Sequence, residues 1–503
     1  MGANLDVVAV APLIAVVGAV VVLLMVDVTW KPGPQVWGVI AGIGLAAATG
    51  LAGWQWALHQ DAPELYFSGM LVGDGFAAMG ALVVYPLTGL GLMAGWRLVT
   101  ALGRRGAEFV ALVLLAGAGA HLMAASANLV MLFIGLEVFS ISLYVLAGFT
   151  RERADADEAA LKYFLLGAFA SAVFVYGVAL VFAATGSTSI YGDPGGSAAG
   201  LPDAILPDAG IQSFLEGTVV FRPGVLLVGA ALIIVGLGFK VSAAPFHVWS
   251  PDVYQGAPGG ITGFLAAAAK VAGFAALARV LTVALGAYVA DWAPAIAALS
   301  ALSVVVGTLL AIVQTDIKRM LAYSSVAHAG FILTALVAGG DGIPDMWFYV
   351  ITYAAQVLGA FTIAAVISGA TRGRSPLQAY DGLGRRSPWL AAVMALMMLS
   401  MAGIPLTAGF AGKVAVFRSA VDAGYLWLVI VALLAAVAGL FFYLSVVVRM
   451  YMRQPADAPG TMPAAPHAGW GARIALAVTS AATLVFGIAP WPLLDVLRDA
   501  LPL

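Results

Sequence analysis

The sequence has no cysteine. That excludes disulfides, thiolate zinc sites, cysteine-held iron–sulfur clusters and covalent haem attachment. Charge is scarce too. Asp, Glu, Lys and Arg make up 10% of the 503 residues, against about 25% in an ordinary soluble domain. Neither sign dominates: the net charge is −2 and the pI about 6.2. There is therefore no basic face for phosphate or nucleic acid. What fills the chain is apolar, at 62% hydrophobic residues with a mean hydropathy of +1.02. A compact globule needs a polar shell, and this composition cannot supply one. A soluble enzyme, a nucleic-acid binder and a disordered chain are all excluded.

A transmembrane helix takes about 20 apolar residues, and the chain offers about 14 such runs. They lie at 7–27, 35–58, 72–96, 106–123, 127–149, 158–184, 224–249, 257–285, 290–313, 319–338, 345–369, 387–418, 424–449 and 472–492. The first has no small-residue cleavage site after it and reads as a span, not a removed signal peptide. The runs are continuous and lack the alternation of barrel strands. In lipid the backbone must then be satisfied within each segment, which leaves helices. Many of the 59 glycines lie inside these runs, where they allow close helix packing. The expected fold is an all-α polytopic membrane protein forming one membrane domain.

Positive charge sets the orientation. Lys31, Arg97, Arg104, Arg105, Arg151, Arg153, Lys318, Arg319, Arg372, Arg374, Arg385, Arg386, Arg449 and Arg453 fall on odd-numbered connections. Even connections and the C-terminal tail carry only Arg222, Arg418 and Arg498. Odd connections are therefore expected in the cytoplasm and both termini outside. Trp30, Trp249, Trp292, Trp389 and Trp491 sit near span ends, where interfacial aromatics belong. The longest connection, about 185–223, reads as an irregular outer loop with a short surface helix.

Four ionisable residues lie deep in apolar runs: Glu137, Lys240, Lys270 and Lys413. Each costs about 2.5–3.5 kcal/mol at a helix centre on insertion scales, so each needs a partner or water. Ser140 and Tyr144 follow Glu137 at i+3 and i+7 and make one face polar. Glu137 is either a structural carboxylate or part of a functional set. Pro245 follows Lys240, lacks an N–H and breaks the helix. His247 lies within the broken stretch, either as a satisfied core histidine or as a relay. Lys270 has nothing in its own helix to neutralise it. Arg279, nearer the outer end, is expected to snorkel or pack. Lys413 follows Gly403, Pro405, Gly409 and Gly412, which mark a second interrupted helix.

The two interrupted segments are separated by five spans, so they run in opposite directions. That is the pattern of inverted repeats around a mid-membrane site. The copies are imperfect, since Lys240 precedes its break and Lys413 follows its own. A weaker polar series lies between them. Ser324 and His328 share a face, as do Tyr353 and Gln356. Glu158 and Lys162 form an i, i+4 pair near the cytoplasmic end, where an interfacial salt bridge is the simplest reading. These groups connect the charges through water or act as glue between helices.

Magnitudes suit proton movement. A Glu–Lys pair at about 4 Å and an effective dielectric near 20 is worth roughly 4 kcal/mol, or about three pKa units. Moving one charge across 100 mV costs about 2.3 kcal/mol. One switched lysine is thus the right size to drive a proton against a physiological potential. The chain has no Walker motif, no dinucleotide fingerprint and no cofactor ligand cluster. It must run downhill or be driven by a partner.

Four runs carry a family resemblance: EAALKYFLLGAFASAVFVYG (158–177), GLGFKVSAAPFHVWSPDVYQGAP (236–258), AIVQTDIKRMLAYSSVAHAG (311–330) and AGIPLTAGFAGK (402–413). Over about 105–450 the chain resembles the antiporter-like membrane subunits of respiratory complex I. Within them it is most similar to the subunit N branch, the counterpart of mitochondrial subunit 2. The resemblance implies 14 helices with two inverted five-helix repeats, each containing a broken helix. It divides the chain into about three N-terminal helices (1–105), a first repeat (106–285), a second (286–450) and a C-terminal helix (451–503). It implies that Glu137 and Lys240 form the modulating pair of the first half-channel. Lys270 is then the central relay and Lys413 the terminal group of the second half-channel. Lys162, His247, His328, Tyr353 and Gln356 are implied as supporting groups, with Pro245 and Pro405 as the structural breaks. The family subunit binds no cofactor or metal. Flavin and iron–sulfur clusters are expected in partner subunits, and the location is a bacterial inner membrane. Two alternatives stay open. One is a subunit of a sodium/proton antiporter or of a related membrane-bound hydrogenase complex. The other is a structural subunit whose polar groups only hold helices together.

Overall fold

The computed structural model describes residues 3–58, 63–150, 154–191, 210–217, 220, 223–369, 375–454 and 466–501. Arg151, Arg153, Arg222, Arg372, Arg374 and most of the 185–223 loop lie outside the described residues. The N-terminal part runs α1 (Ala3–Trp30), α2 (Pro34–Leu58), a hairpin of β1 (Glu64–Tyr66) and β2 (Leu71–Gly73), α3 (Gly75–Ala94) and α4 (Trp96–Ala101). Next come α5 (Gly106–Ala124), α6 (Leu129–Ala147), α7 (Ala154–Thr185), α8 (Ile211–Gly217), α9 (Pro223–Lys240), α10 (Trp249–Gly256) and α11 (Gly259–Ala278), which continues as a π turn over Arg279–Ala284. The chain closes with α12 (Val289–Ile312), α13 (Ile317–Leu336), α14 (Ile343–Ser368), α15 (Leu383–Arg386), α16 (Pro388–Ala402), α17 (Ala408–Asp422), α18 (Leu426–Met452), α19 (Trp470–Ile488) and α20 (Trp491–Ala500).

Among the described residues, twelve helices are long and apolar enough to cross a membrane. Helix α13 makes a thirteenth crossing and the interrupted pair α16–α17 a fourteenth. Helix α13 is too polar to qualify by hydropathy, and burial explains why: nearly all of it is enclosed by other helices. A helix that touches no lipid need not be apolar. The hairpin was not anticipated. It joins α2 to α3 and bridges Leu71 to Ser126.

Two five-helix units recur with the same neighbours. Helix α5 packs on α6, α6 on α7, α7 on α9, and α11 returns to α5. In the second unit α12 packs on α13, α13 on α14, α14 on the α16–α17 pair, and α18 returns to α12. The same glycine contact opens each unit. A Cβ on Gly119 would lie 2.5 Å from the Phe139 nitrogen, and one on Gly307 2.4 Å from the Ala327 nitrogen. Neither partner can yield, because both are backbone. Gly307→Ala is therefore expected to destabilise the chain by about 1–3 kcal/mol. The measurement is thermal inactivation of the membrane-embedded protein, with Gly53→Ala, which meets nothing within 4 Å, as the unaffected control.

Two placements correct the expectations from sequence. Trp249 and Trp292 are buried rather than interfacial. Trp249 stacks on Tyr163 at 4.5 Å, and its Nε1 donates to the Phe239 carbonyl at 2.9 Å. Trp292 Nε1 donates to the Leu285 carbonyl at 3.0 Å. Of the two readings for Arg279, packing holds: its guanidinium is fully buried in an ion pair with Asp74.

Candidate functional site

Lys240 is the last residue of α9 and is buried. Its Nζ donates to Ser140 Oγ at 2.6 Å and to the Tyr144 hydroxyl at 3.1 Å, both on α6. Glu137, one turn before Ser140, accepts from Ser171 Oγ of α7 at 2.5 Å. Among the described residues no ion pair joins Glu137 to Lys240. Each is instead bonded to a serine hydroxyl, Lys240 to Ser140 and Glu137 to Ser171.

Beyond Lys240 the chain is irregular until α10. In a continuous helix the Val241 carbonyl would accept from the N–H of residue 245, but residue 245 is proline and has none. Lys270 Nζ, from α11, donates to that carbonyl instead. Gly273, one turn on, lets α11 approach, since a Cβ there would lie 2.6 Å from Val241 Cγ1. The second break repeats the device. Gly403, at φ 89°, ends α16 in the left-handed conformation. Pro405 deprives the Met401 carbonyl of its partner. Lys413 Nζ donates to the Met401 and Ala402 carbonyls at 3.0 and 2.9 Å and lies 4.9 Å from the Phe331 ring. An ammonium at the carbonyl end of a helix also meets the negative end of its dipole. Charge-assisted bonds of this kind contribute about 1.5–3 kcal/mol. That is close to the cost of holding a lysine at mid-membrane. In this respect Lys270 and Lys413 are the matching pair, and Lys240 stands apart on its hydroxyls.

Between the two lysines lie buried polar groups. His328 Nδ1 is 3.0 Å from the Tyr349 hydroxyl and Nε2 is 3.0 Å from that of Tyr443, which meets Ser324 Oγ at 2.5 Å. The His328 and Tyr353 rings are 4.8 Å apart. The Tyr254 and Tyr353 hydroxyls, Ser242 and Ser325 Oγ, and the Gln356 amide are buried without a completed hydrogen bond. Buried polar atoms cost free energy unless bonded, and here several of them are concentrated in one region between the two lysines. His247 is half-buried, and its ring is 6.2 Å from that of Tyr323. Lys162 is elsewhere. It bonds Glu158 at 2.6 Å and Asp252 at 2.8 Å, and Asp252 also bonds Arg319 at 2.6 Å. This ion cluster ties α7, α10 and α13 together at the arginine-rich end. Among the described residues no group of three His, Asp or Glu is placed to hold a metal.

Residues 126–439 match the family model described as NADH:quinone oxidoreductase/Mrp antiporter, TM. The NADH-quinone oxidoreductase subunit N 1 of Solibacter usitatus is 38% identical over 475 residues, 93% of this chain and 92% of that protein. The chain belongs to the subunit N branch of this family. Among solved structures, a chain of respiratory complex I from Thermus thermophilus covers 97% of this chain, and all of that chain is matched, with a TM-score of 0.76 and 33% identity. A chain of the Mrp complex from Dietzia sp. DQ12-45-1b has the same fold, with a TM-score of 0.80 at 20% identity over 98% of this chain and 96% of that one. In this member of the subunit N branch several site residues escape sequence reasoning. Tyr443 is one turn from the end of no obvious motif, and Asp252 and Ser171 look like ordinary helix residues. Asp345 and Tyr349 could have been found, because they lie two turns and one turn before Tyr353, already singled out, on the same helix.

Proposed function

We propose that this chain is a redox-inactive, proton-translocating membrane subunit of an NADH:quinone oxidoreductase. Residues 106–285 and 286–450 act as two half-channels. Glu137 and Lys240 modulate the first, Lys270 is the central relay and Lys413 the terminal group of the second. Partner subunits carry the flavin and iron–sulfur clusters, reduce the quinone and drive this chain through the neighbouring membrane subunits. The setting is a bacterial inner membrane, with the arginine-rich connections in the cytoplasm and both termini outside.

The observation that carries this reading is the repeated device at the two breaks. A buried lysine sits on each proline-freed carbonyl, and buried hydroxyls and His328 lie between the two. Such a lysine has a charge-assisted bond to hold its proton and polar neighbours to pass it on. Subunit N naming among relatives favours this over an antiporter subunit, whose fold is shared at low identity.

Lys240→Ala tests the coupling role. In inverted vesicles holding a fully assembled complex, pumping and coupled quinone reduction are expected to fall by about fivefold or more. Unchanged pumping would remove Lys240 from the relay. Purification of the chain without flavin and iron–sulfur partners, together with sodium-dependent proton exchange, would overturn the whole assignment.

A further inference from the structure

We propose that Asp345, in the first turn of α14, is the group through which protons leave the second half-channel. This rests on the proton-translocating reading above. Asp345 is only 6% exposed. Its Oδ2 accepts from Ser419 Oγ at 2.6 Å, while Oδ1 is buried with no hydrogen bond. Arg498 of α20 brings its Nη2 to 3.5 Å from Oδ1, and this side chain is nearly half exposed. A buried carboxylate is thus held by a serine hydroxyl on one oxygen and faced on the other by a cation that opens to solvent.

Two neighbouring helices connect Asp345 to the relay. Ser419 lies on α17 six residues beyond Lys413, about 9 Å along the axis. Tyr349 follows Asp345 by one turn of α14 and bonds His328. The Tyr349 ring lies against Gly412, where a Cβ would come within 2.9 Å of it. Helices α14 and α17 therefore run side by side. The relay is at one end of their contact and the Asp345–Ser419 bond is at the other, toward the arginine-poor surface.

The step balances simply. An N–H bond of the Lys413 ammonium breaks, and the proton passes by way of Tyr349 and solvent to form an O–H bond on Asp345 Oδ1. A neutral amine and a neutral acid remain. The acid then gives the proton to external water on the side where Arg498 opens to solvent. A carboxylate in a first helical turn also suits the helix dipole, and an ion pair to Arg498 could simply pin α20. Pinning needs only the ion pair; it gives no reason to bury the carboxylate against Ser419, on the same helix faces that carry Tyr349 and Lys413.

The test measures protons pumped per quinone reduced by the assembled complex in inverted vesicles. Asp345→Asn is expected to lower this about tenfold and Asp345→Glu to restore most of it. Arg498→Gln, which leaves Asp345 able to carry a proton, is expected to cost less than about twofold. Equal losses in Asp345→Asn and Arg498→Gln would show a pinning role and overturn the proposal. Normal pumping in Asp345→Asn beside a dead Lys413→Ala would overturn the exit assignment alone. Normal pumping in both would overturn the proton-translocating reading as well. If Asp345→Asn does not assemble, Ser419→Ala decides: a loss of about twofold or more is expected, and unchanged pumping overturns the proposal.

Discussion

Lys270→Met is expected to stop proton pumping by the assembled complex, a loss of about a hundredfold, while the amount of complex in the membrane changes little. The asymmetry follows from the surroundings. Lys270 is 0% exposed, on a helix enclosed along its whole length, and its amine has one bond, to the Val241 carbonyl. Methionine fills nearly the same volume. It leaves that carbonyl unbonded at a cost of about 1–3 kcal/mol, and it removes a charge whose insertion costs about as much. Stability therefore roughly breaks even and only the titratable group is lost. Pro245→Ala approaches the same lysine from the other side. It supplies an N–H that competes for the Val241 carbonyl, so pumping is expected to fall about tenfold. In the double variant the losses are expected not to add, because both act on one contact. Wild-type pumping in Lys270→Met would reduce the lysine to helix glue.

The lysines show what sequence reading can and cannot reach. A charge inside a long apolar run is visible because lipid makes it expensive, and the prolines are visible because they lack an N–H. The join between them is not. Nothing in the spacing says that Lys270, on a later helix, reaches Val241, or that Lys413 turns back to the carbonyls of the half-helix before it. Spans were legible for the same reason as the charges, and α13 was legible even though hydropathy alone rejects it. Trp249 and Trp292 were misplaced because a tryptophan near a span end has one appearance in sequence and two environments. Lys318, read as a cytoplasmic charge, is buried and donates to the Gln255 and Ala257 carbonyls at 3.2 and 3.0 Å. Its position beside a span hid its role in capping α10.

Asp74→Ala is expected to be the most damaging single change to stability, by about 3–5 kcal/mol, because it strands a buried cation. Arg279 is 1% exposed and its guanidinium is fully engaged. Nη1 and Nη2 donate to the two Asp74 oxygens at 2.7 and 3.0 Å, Nε donates to the Ala124 carbonyl at 3.0 Å, and Nη1 also donates to the Tyr191 hydroxyl. Asp74 in turn caps α3 by accepting from the Ala77 N–H at 2.7 Å. One pair thus ties the start of α3, the end of α5, the connection at Tyr191 and the π turn after α11. Asp74→Ala takes away the counter-ion and the cap together, so the loss should appear as depleted chain in the membrane and a lower thermal midpoint. Asp74→Asn keeps an acceptor for the cap and isolates the charge. Adding Arg279→Met to it is expected to recover most of the stability, since an uncharged pair leaves nothing stranded. A double variant as unstable as Asp74→Asn alone would mean that the guanidinium's bonds to Ala124 and Tyr191, rather than its charge balance, hold these segments together.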